Sequence, residues 1–115
     1  MSASPQTTAA MLPAPPAASA AAAALCKAAG DVLRLEILAV LRDNAFGVLE
    51  LAHLFASGQS GMSHHLKVLA TAGLVTTRRD GNAIFYRRAP VAQGDDPGEL
   101  LGELRRALFH TADQL

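Results

Sequence analysis

A β-hairpin signal lies in the second half of the chain. Residues 74–79 (LVTTRR) and 83–88 (AIFYRR) are rich in β-forming residues, and the Asp80-Gly81-Asn82 turn separates them. Two such runs around an Asp-Gly pair are a strong short-range signal for a hairpin. The chain has 115 residues, which is the length of one domain. The hairpin is therefore expected to belong to the same domain as the segments around it.

Two helical patterns open the domain. The alanine-rich segment 17–29 predicts a first helix, with Ser19 as its N-cap and Gly30 as its C-cap. Asp31 is the predicted N-cap of a second helix, which runs to about Asp43.

A third and a fourth helix are predicted before the hairpin. The third runs from about Val48 to Ala56, after a break at residues 44–47, and Ser57-Gly58 forms a tight turn. The fourth runs from about Gln59 to Thr71, and Gly73 stops it. Apolar residues at helical spacing predict the buried faces, which comprise Leu51, Leu54 and Phe55 in the third helix and Met62, Leu66 and Leu69 in the fourth.

A last helix is predicted after the hairpin, with Pro97 in its first turn. Its apolar stripe comprises Leu100, Leu101, Leu104, Leu108 and Leu115. No C-cap follows Leu115, so the chain is compatible with a fragment of a longer protein. Residues 1–16 are Pro/Ala-rich and uncharged, which predicts a disordered arm, because such a segment cannot offset the entropy of ordering. The folded domain is expected to span residues 17–115.

Composition excludes several classes of protein. Cys26 is the single cysteine, so neither an intrachain disulfide nor a four-cysteine zinc site is available. No apolar run reaches the roughly 18 residues that span a bilayer. No lysine or arginine precedes the alanine-rich segment, whereas a secretory signal begins with cations. We therefore expect a cytoplasmic protein without a membrane partner.

The cations are concentrated in one part of a neutral chain. Lysine plus arginine and aspartate plus glutamate each number 10, yet residues 58–89 carry five cations and one acid. Such a unit is typical of phosphate binding, although arginines also protect an exposed hairpin edge from aggregation.

The fourth helix favours the first interpretation, because the face opposite its apolar residues carries short polar side chains that can approach base edges. Gly61, in the first turn, removes bulk where the backbone must approach DNA, and the hairpin arginines and Asn82 could reach phosphates or the minor groove. The candidate DNA-binding residues are Gln59, Ser60, Gly61, Ser63, His64, Lys67, Arg78, Arg79, Asn82, Arg87 and Arg88.

Three segments resemble a known family. Residues 59–69 (QSGMSHHLKVL) and 72–75 (AGLV) are similar to the SQSTVSHHLKVLREAGLV signature of the ArsR/SmtB winged-helix repressors. Residues 31–41 resemble the family's DPTRLRILRLL helix, with Val32 in place of proline, and residues 79–86 resemble its RREGRxVYY wing.

The resemblance implies a mainly α fold with a small β-hairpin wing, that is, a winged helix-turn-helix of order α-α-α-α-β-β-α. It also implies a homodimeric repressor that binds double-stranded DNA at an imperfect inverted repeat and is released by an inducer. The dimer is expected to form through the first and last helices, with an interface that includes Leu100, Leu101, Leu104 and Leu108.

The sequence leaves several kinds of inducer possible. The family's arsenic and cadmium sensors carry ELCVCDL on the third helix, whereas this chain has Gly47 and Leu49 where the two thiolates stand. The zinc sensors use the last helix, where Glu99, His110 and Asp113 keep the spacing of a site for a divalent metal ion such as zinc. An ordinary solvated helix face is the simpler interpretation of these three residues. Cys26 is a candidate redox sensor, although a structural cysteine is more common.

The sequence also bears on two other functions, an enzyme and a module for protein contact. Gly58-Gln59-Ser60-Gly61 only partly matches the Gly-x-Ser-x-Gly turn of hydrolases and follows a helix instead of a strand, so no enzyme is expected. A winged-helix module for protein contact, or the N-terminal fragment of a longer regulator, is the alternative. A pure interaction module does not need Lys67 and the arginines of the wing.

Overall fold

The computed structural model describes residues 16–91 and 100–114. Residues 1–15 of the predicted arm 1–16, the segment 92–99 with Pro97 and Glu99, and Leu115 lie outside the described residues. The first helix begins at Pro16, so the predicted end of the arm and the predicted N-cap at Ser19 were wrong. The elements, in chain order, are α1 (Pro16–Ala29), α2 (Val32–Val40), β1 (Phe46–Gly47), α3 (Val48–Leu54), α4 (Gln59–Thr71), β2 (Val75–Asp80), β3 (Ala83–Arg88) and α5 (Leu100–Ala112). The predicted order of four helices, a hairpin and a last helix is confirmed.

The junction between α1 and α2 is fixed by polar contacts. Asp31 is the N-cap of α2, as predicted, and its Oδ1 accepts a hydrogen bond from the backbone N–H of Arg34 at 3.1 Å. Arg34 Nε donates to the carbonyl oxygen of Ala28 at 2.7 Å, in the last turn of α1. Arg34 thus satisfies a helix-end carbonyl that has no partner within its own helix. The second helix ends at Val40 instead of the predicted Asp43, because residues 41–43 form a turn.

The turn between α3 and α4 differs from the predicted one. Ala56 has a φ of 51°, which places the left-handed residue before the predicted Ser57-Gly58 turn. The backbone N–H of Ser57 donates to the carbonyl oxygen of Ala52 at 2.8 Å and closes the end of α3. The prediction that Leu54 is buried was wrong: its side chain is 56% exposed, because α3 ends at that residue and turns it outward.

The fourth helix has the predicted bounds and the predicted buried face. Met62, Leu66 and Leu69 are each 0% exposed. Gly73 follows the helix with a φ of 82°, and the N–H of Leu74 donates to the carbonyl oxygen of Leu69 at 2.9 Å. This left-handed C-terminal cap turns the chain directly into β2.

The sheet has one strand more than the sequence predicted. It is antiparallel, with strand order β1-β3-β2. The hairpin of β2 and β3 was predicted, and Gly81 turns it with a φ of 65°. In β1, Phe46 pairs with Tyr86 and Gly47 with Phe85. The sequence predicts only a break between helices at residues 44–47, because a strand of two residues has no periodicity.

One apolar core joins all the helices. It contains Leu25 and Ala28 of α1, Ile37 and Leu38 of α2, Leu51 of α3, the three buried residues of α4, and Phe109 and Ala112 of α5. The last helix packs on α1 and α2, and Leu101, Leu104 and Leu108 are half-buried against the core. No helix within the described part of the chain has the length and apolarity needed to cross a membrane.

The cap at Asp31 generates a prediction on stability. Asp31→Ala should lower the free energy of unfolding by about 1 kcal/mol in urea denaturation, because the first turn of α2 loses its cap. Asp31→Asn is the control, since an asparagine side chain also caps a helix. Equal stability of the wild type and Asp31→Ala at neutral pH would contradict the assignment.

The same cap predicts a pH dependence. The hydrogen bond from the Arg34 N–H, assisted by the Arg34 guanidinium, holds the pKa of Asp31 below its ordinary value of 3.8. A lowered folded-state pKa stabilises the protein above the ordinary value, and that stability is lost as the pH falls through the lowered value. The ionised Asp31 should therefore make the wild type more stable than Asp31→Asn at neutral pH, and this difference in the free energy of unfolding should disappear in acid.

Candidate nucleic-acid interface

The outer face of α4 is polar and open. Its apolar side chains are buried, and the side chains opposite them are exposed, comprising Gln59, Ser60, Ser63, His64 and Lys67. Gly61 is exposed in the first turn, where an added Cβ would meet only Ser57 Oγ, at 3.6 Å. The structure therefore brings the five polar residues together along one side of a single helix, with Gly61 exposed in its first turn.

The hairpin stands beside this helix. Gln59 and Ser63 of α4 line the same groove as Asn82 of the hairpin turn and Ile84 of β3. Arg78 and Arg79 of β2 and Arg87 of β3 are exposed. A helix with short polar side chains, flanked by a hairpin with exposed guanidinium groups, can contact bases with one element and phosphates with the other.

A contact between Arg34 and His65 joins α4 to the α1–α2 junction. Nη1 of Arg34 lies 3.2 Å from Nδ1 of His65. A guanidinium is always a donor, so His65 Nδ1 accepts this hydrogen bond. His65 is half-buried and its neighbour His64 is exposed, so the two adjacent rings lie in different surroundings. This contact orients α4 from its inner side.

Lys27 is a residue that the sequence analysis missed. It lies at the end of α1 and lines a groove together with His64, Lys67 and Thr71 of α4. Among the described residues, no acid lines this groove. Only packing of α1 on α4 brings Lys27 to this face, because 40 positions of sequence separate it from Lys67. The cluster of cations in residues 58–89 gave no signal for it.

Arg88 departs from the prediction that it contacts DNA. Its side chain is only 14% exposed, and its guanidinium forms a bidentate ion pair with the carboxylate of Asp113. It also donates from Nε to the carbonyl oxygen of Leu38 at 2.8 Å and lies over the ring of Phe109. A guanidinium so engaged is not available to a phosphate, so Arg88 leaves the DNA-binding set.

The predicted metal site of Glu99, His110 and Asp113 is described only in part, so it stays a prediction. Asp113 is occupied by Arg88, whose hydrogen bonds are the main reason that the pKa of this carboxyl lies below its ordinary value. His110 is exposed, and Glu99 lies outside the described residues. Within residues 16–91 and 100–114, no group of three His, Cys, Asp or Glu side chains could hold a metal ion. Gly47 of β1 and Leu49 of α3 offer no side-chain ligands at the positions of the two thiolates.

The remaining predictions concern the dimer and the thiol. Leu101, Leu104 and Leu108 are half-buried within the protomer, and the side chain of Leu100 lies outside the described set. A dimer contact would use only the exposed part of this stripe. The thiol of Cys26 is exposed, so the prediction of a redox sensor remains a prediction.

An exposed polar helix beside a basic wing, carried on a helical core, defines a winged helix-turn-helix protein. The family described as bacterial regulatory protein, arsR family, matches residues 31–77. The chain belongs to this family. The family consists of DNA-binding transcriptional regulators, in agreement with the expectation that the chain is not an enzyme.

Relatives of known sequence support the membership. The transcriptional activator HlyU of Vibrio cholerae is 43% identical over 62 residues, which are 54% of this chain and 57% of HlyU. The arsenical resistance operon repressor of Staphylococcus aureus is 40% identical over 63 residues, or 55% of this chain and 61% of the repressor. The chain thus matches little more than half the length of these curated relatives.

Solved structures agree with the fold over a longer stretch. Reduced HlyU from Vibrio cholerae superimposes with a TM-score of 0.60 at 32% identity, over 81% of this chain and 90% of that one. The homodimeric winged helix-turn-helix DNA-binding domain Mb0332 from Mycobacterium bovis gives 0.64 at 27% identity, over 90% of this chain and 92% of that one.

Proposed function

We propose that the chain is a homodimeric transcriptional repressor that binds double-stranded DNA at an imperfect inverted repeat. One observation carries the proposal: the polar face of α4 lines a groove together with the turn and β3 of the wing, and that wing carries exposed arginines, although the protein as a whole has no net charge. Membership in a family of regulators supports it.

The two elements have different tasks in this proposal. Ser63 and His64 lie where short side chains of α4 meet base edges in the major groove, with Gln59 and Ser60 at the helix start. Arg78, Arg79 and Arg87 of the wing, together with Lys67, bind phosphates, and Asn82 reaches the adjacent groove. Base contacts give sequence preference, and phosphate contacts give affinity and salt dependence.

Fluorescence anisotropy on DNA from upstream of the protein's own gene tests the proposal. Lys67→Ala should weaken binding to all sequences alike and lower the slope of log affinity against log salt by about one. Ser63→Ala should change sequence preference and leave the salt slope as it is. If no specific binding occurs under any condition, the protein-contact module becomes the better explanation.

Lys27 extends the phosphate contacts in this proposal. Lys27→Gln should lower the salt slope as Lys67→Ala does, because both ammonium groups border one groove. Glu36→Gln is the control, since it changes an exposed charge on α2, away from this groove. An unchanged slope in Lys27→Gln would remove this lysine from the interface and leave the α4 assignment intact.

Gly61 offers a test in which stability and binding change in opposite directions. Gly61→Ala should raise the free energy of unfolding by up to about 1 kcal/mol, because alanine favours a helix and its Cβ has room. The same methyl group stands on the face that approaches DNA and should weaken binding. Thermal unfolding and anisotropy measure the two effects. A variant that is stabilised and binds DNA as the wild type does would show that Gly61 is not at the interface.

The dimer is tested at α5. Leu104→Asp should yield a monomer in analytical ultracentrifugation and lose operator affinity. Because Leu104 also packs on the core, circular dichroism must confirm that the variant is folded. Leu104→Ala, which adds no charge, is the milder control. A folded dimer of Leu104→Asp would contradict the placement of the interface.

A further inference from the structure

Arg88 joins three elements at the base of the wing. It is the last residue of β3, and its Nε donates to the carbonyl oxygen of Leu38 at 2.8 Å. Its guanidinium pairs with Asp113, one residue beyond α5. The guanidinium carbon lies 4.8 Å from the centroid of the Phe109 ring, which belongs to α5. One side chain therefore ties the wing to both α2 and α5.

The pair is largely shielded from solvent. Arg88 is 14% exposed and Asp113 is 20% exposed, so salt screens their attraction less than it screens a surface pair. Bidentate contact fixes direction as well as distance. Arg42 also reaches Asp113, at 3.9 Å, but its side chain is 60% exposed and contributes less.

The wing is also held at its base by apolar packing, because Val75 of β2 belongs to the core and Tyr86 of β3 packs against it. The residues of β2 after Val75 are exposed, and β1 pairs with β3 at only Phe46 and Gly47. Side chains alternate along a strand, so Arg88 points toward the body while its neighbour Arg87 points outward. Anchoring of Arg88 therefore contributes to the direction of Arg87, together with the pairing of Arg87 with Thr76 of β2.

We propose that Arg88 and Asp113 are a positioning pair, which holds the wing against α5 so that Arg87 and its neighbours can bind phosphate while α4 binds the bases. The proposal rests on the DNA-binding function proposed above. It adds that a residue directly after the last helix controls the orientation of the wing. The carboxylate that the sequence pattern offered to a metal ion is instead used by a cation of the protein itself.

The variant Asp113→Asn distinguishes a positioning role from a simple effect of net charge. Asp113→Asn removes a negative charge from a DNA-binding protein, and long-range electrostatics alone would tighten binding. The positioning pair predicts the opposite sign: affinity should fall by about three- to tenfold, in the lower part of the range for coupled contacts. Glu36→Gln removes the same charge from an exposed site on α2 and should leave affinity unchanged or slightly higher.

Double-mutant cycles separate positioning from general destabilisation. In an Arg88→Gln background, Arg87→Ala should lose most of its effect on affinity, because the wing is already misplaced. Lys67→Ala should keep its full effect, because α4 is held independently by its buried face. Arg88→Lys keeps one charge and should partly restore the affinity lost in Arg88→Gln. Thermal unfolding shows whether each variant is folded at the assay temperature.

The outcomes are distinguishable from failure of the DNA-binding proposal. Wild-type binding and a full Lys67→Ala effect establish the function by themselves. Given those, tighter binding by Asp113→Asn, or additive effects of Arg88→Gln and Arg87→Ala, would overturn the positioning pair and leave the function standing. Weaker binding by Asp113→Asn with selective non-additivity at Arg87 is the expected result.

Discussion

Burial of one face of α4 is the interaction on which the rest of the structure depends. Met62, Leu66 and Leu69 are fully enclosed by the core, so the helix cannot rotate without exposing them to water. Each such side chain contributes about 1.5–3 kcal/mol relative to an exposed one. Fixing this face inward leaves the polar face with one possible direction, which is outward. The candidate reading surface is thus a consequence of core packing.

Two arginines attach the functional elements to that core from different sides. Arg34 binds the end of α1 and His65 of α4, and so holds the inner side of the helix. Arg88 binds α2 and Asp113, and so holds the base of the wing. Arginine suits both places, because its planar group donates several hydrogen bonds in fixed directions. Arg88, which leaves the DNA-binding set, and Arg34, which was never in it, are therefore part of the framework that presents the other cations.

Much of the candidate site could be predicted from local sequence. The α4 residues share a face because helical periodicity fixes their directions, and Gly81 turns a hairpin because it adopts positive φ without strain. Predictions failed where an element ends or is too short for a pattern, and where a side chain meets residues distant in sequence. Leu54 ends its helix and is exposed, β1 is too short for a pattern, and Arg88 meets a carboxylate 25 positions away. Lys27 was missed for the same reason.

The sequence by itself determined the order of the elements, the buried face of α4, the cap at Asp31 and the family. These follow from periodicity, turn chemistry and short motifs, which act over a few residues. Only the tertiary structure decided which charges are available to a ligand. Arg87 and Arg88 are adjacent in sequence and identical in chemistry, yet one is exposed and the other is paired with Asp113. The physical reason is that an ion pair depends on distance in space, which the packing of α5 against the wing sets.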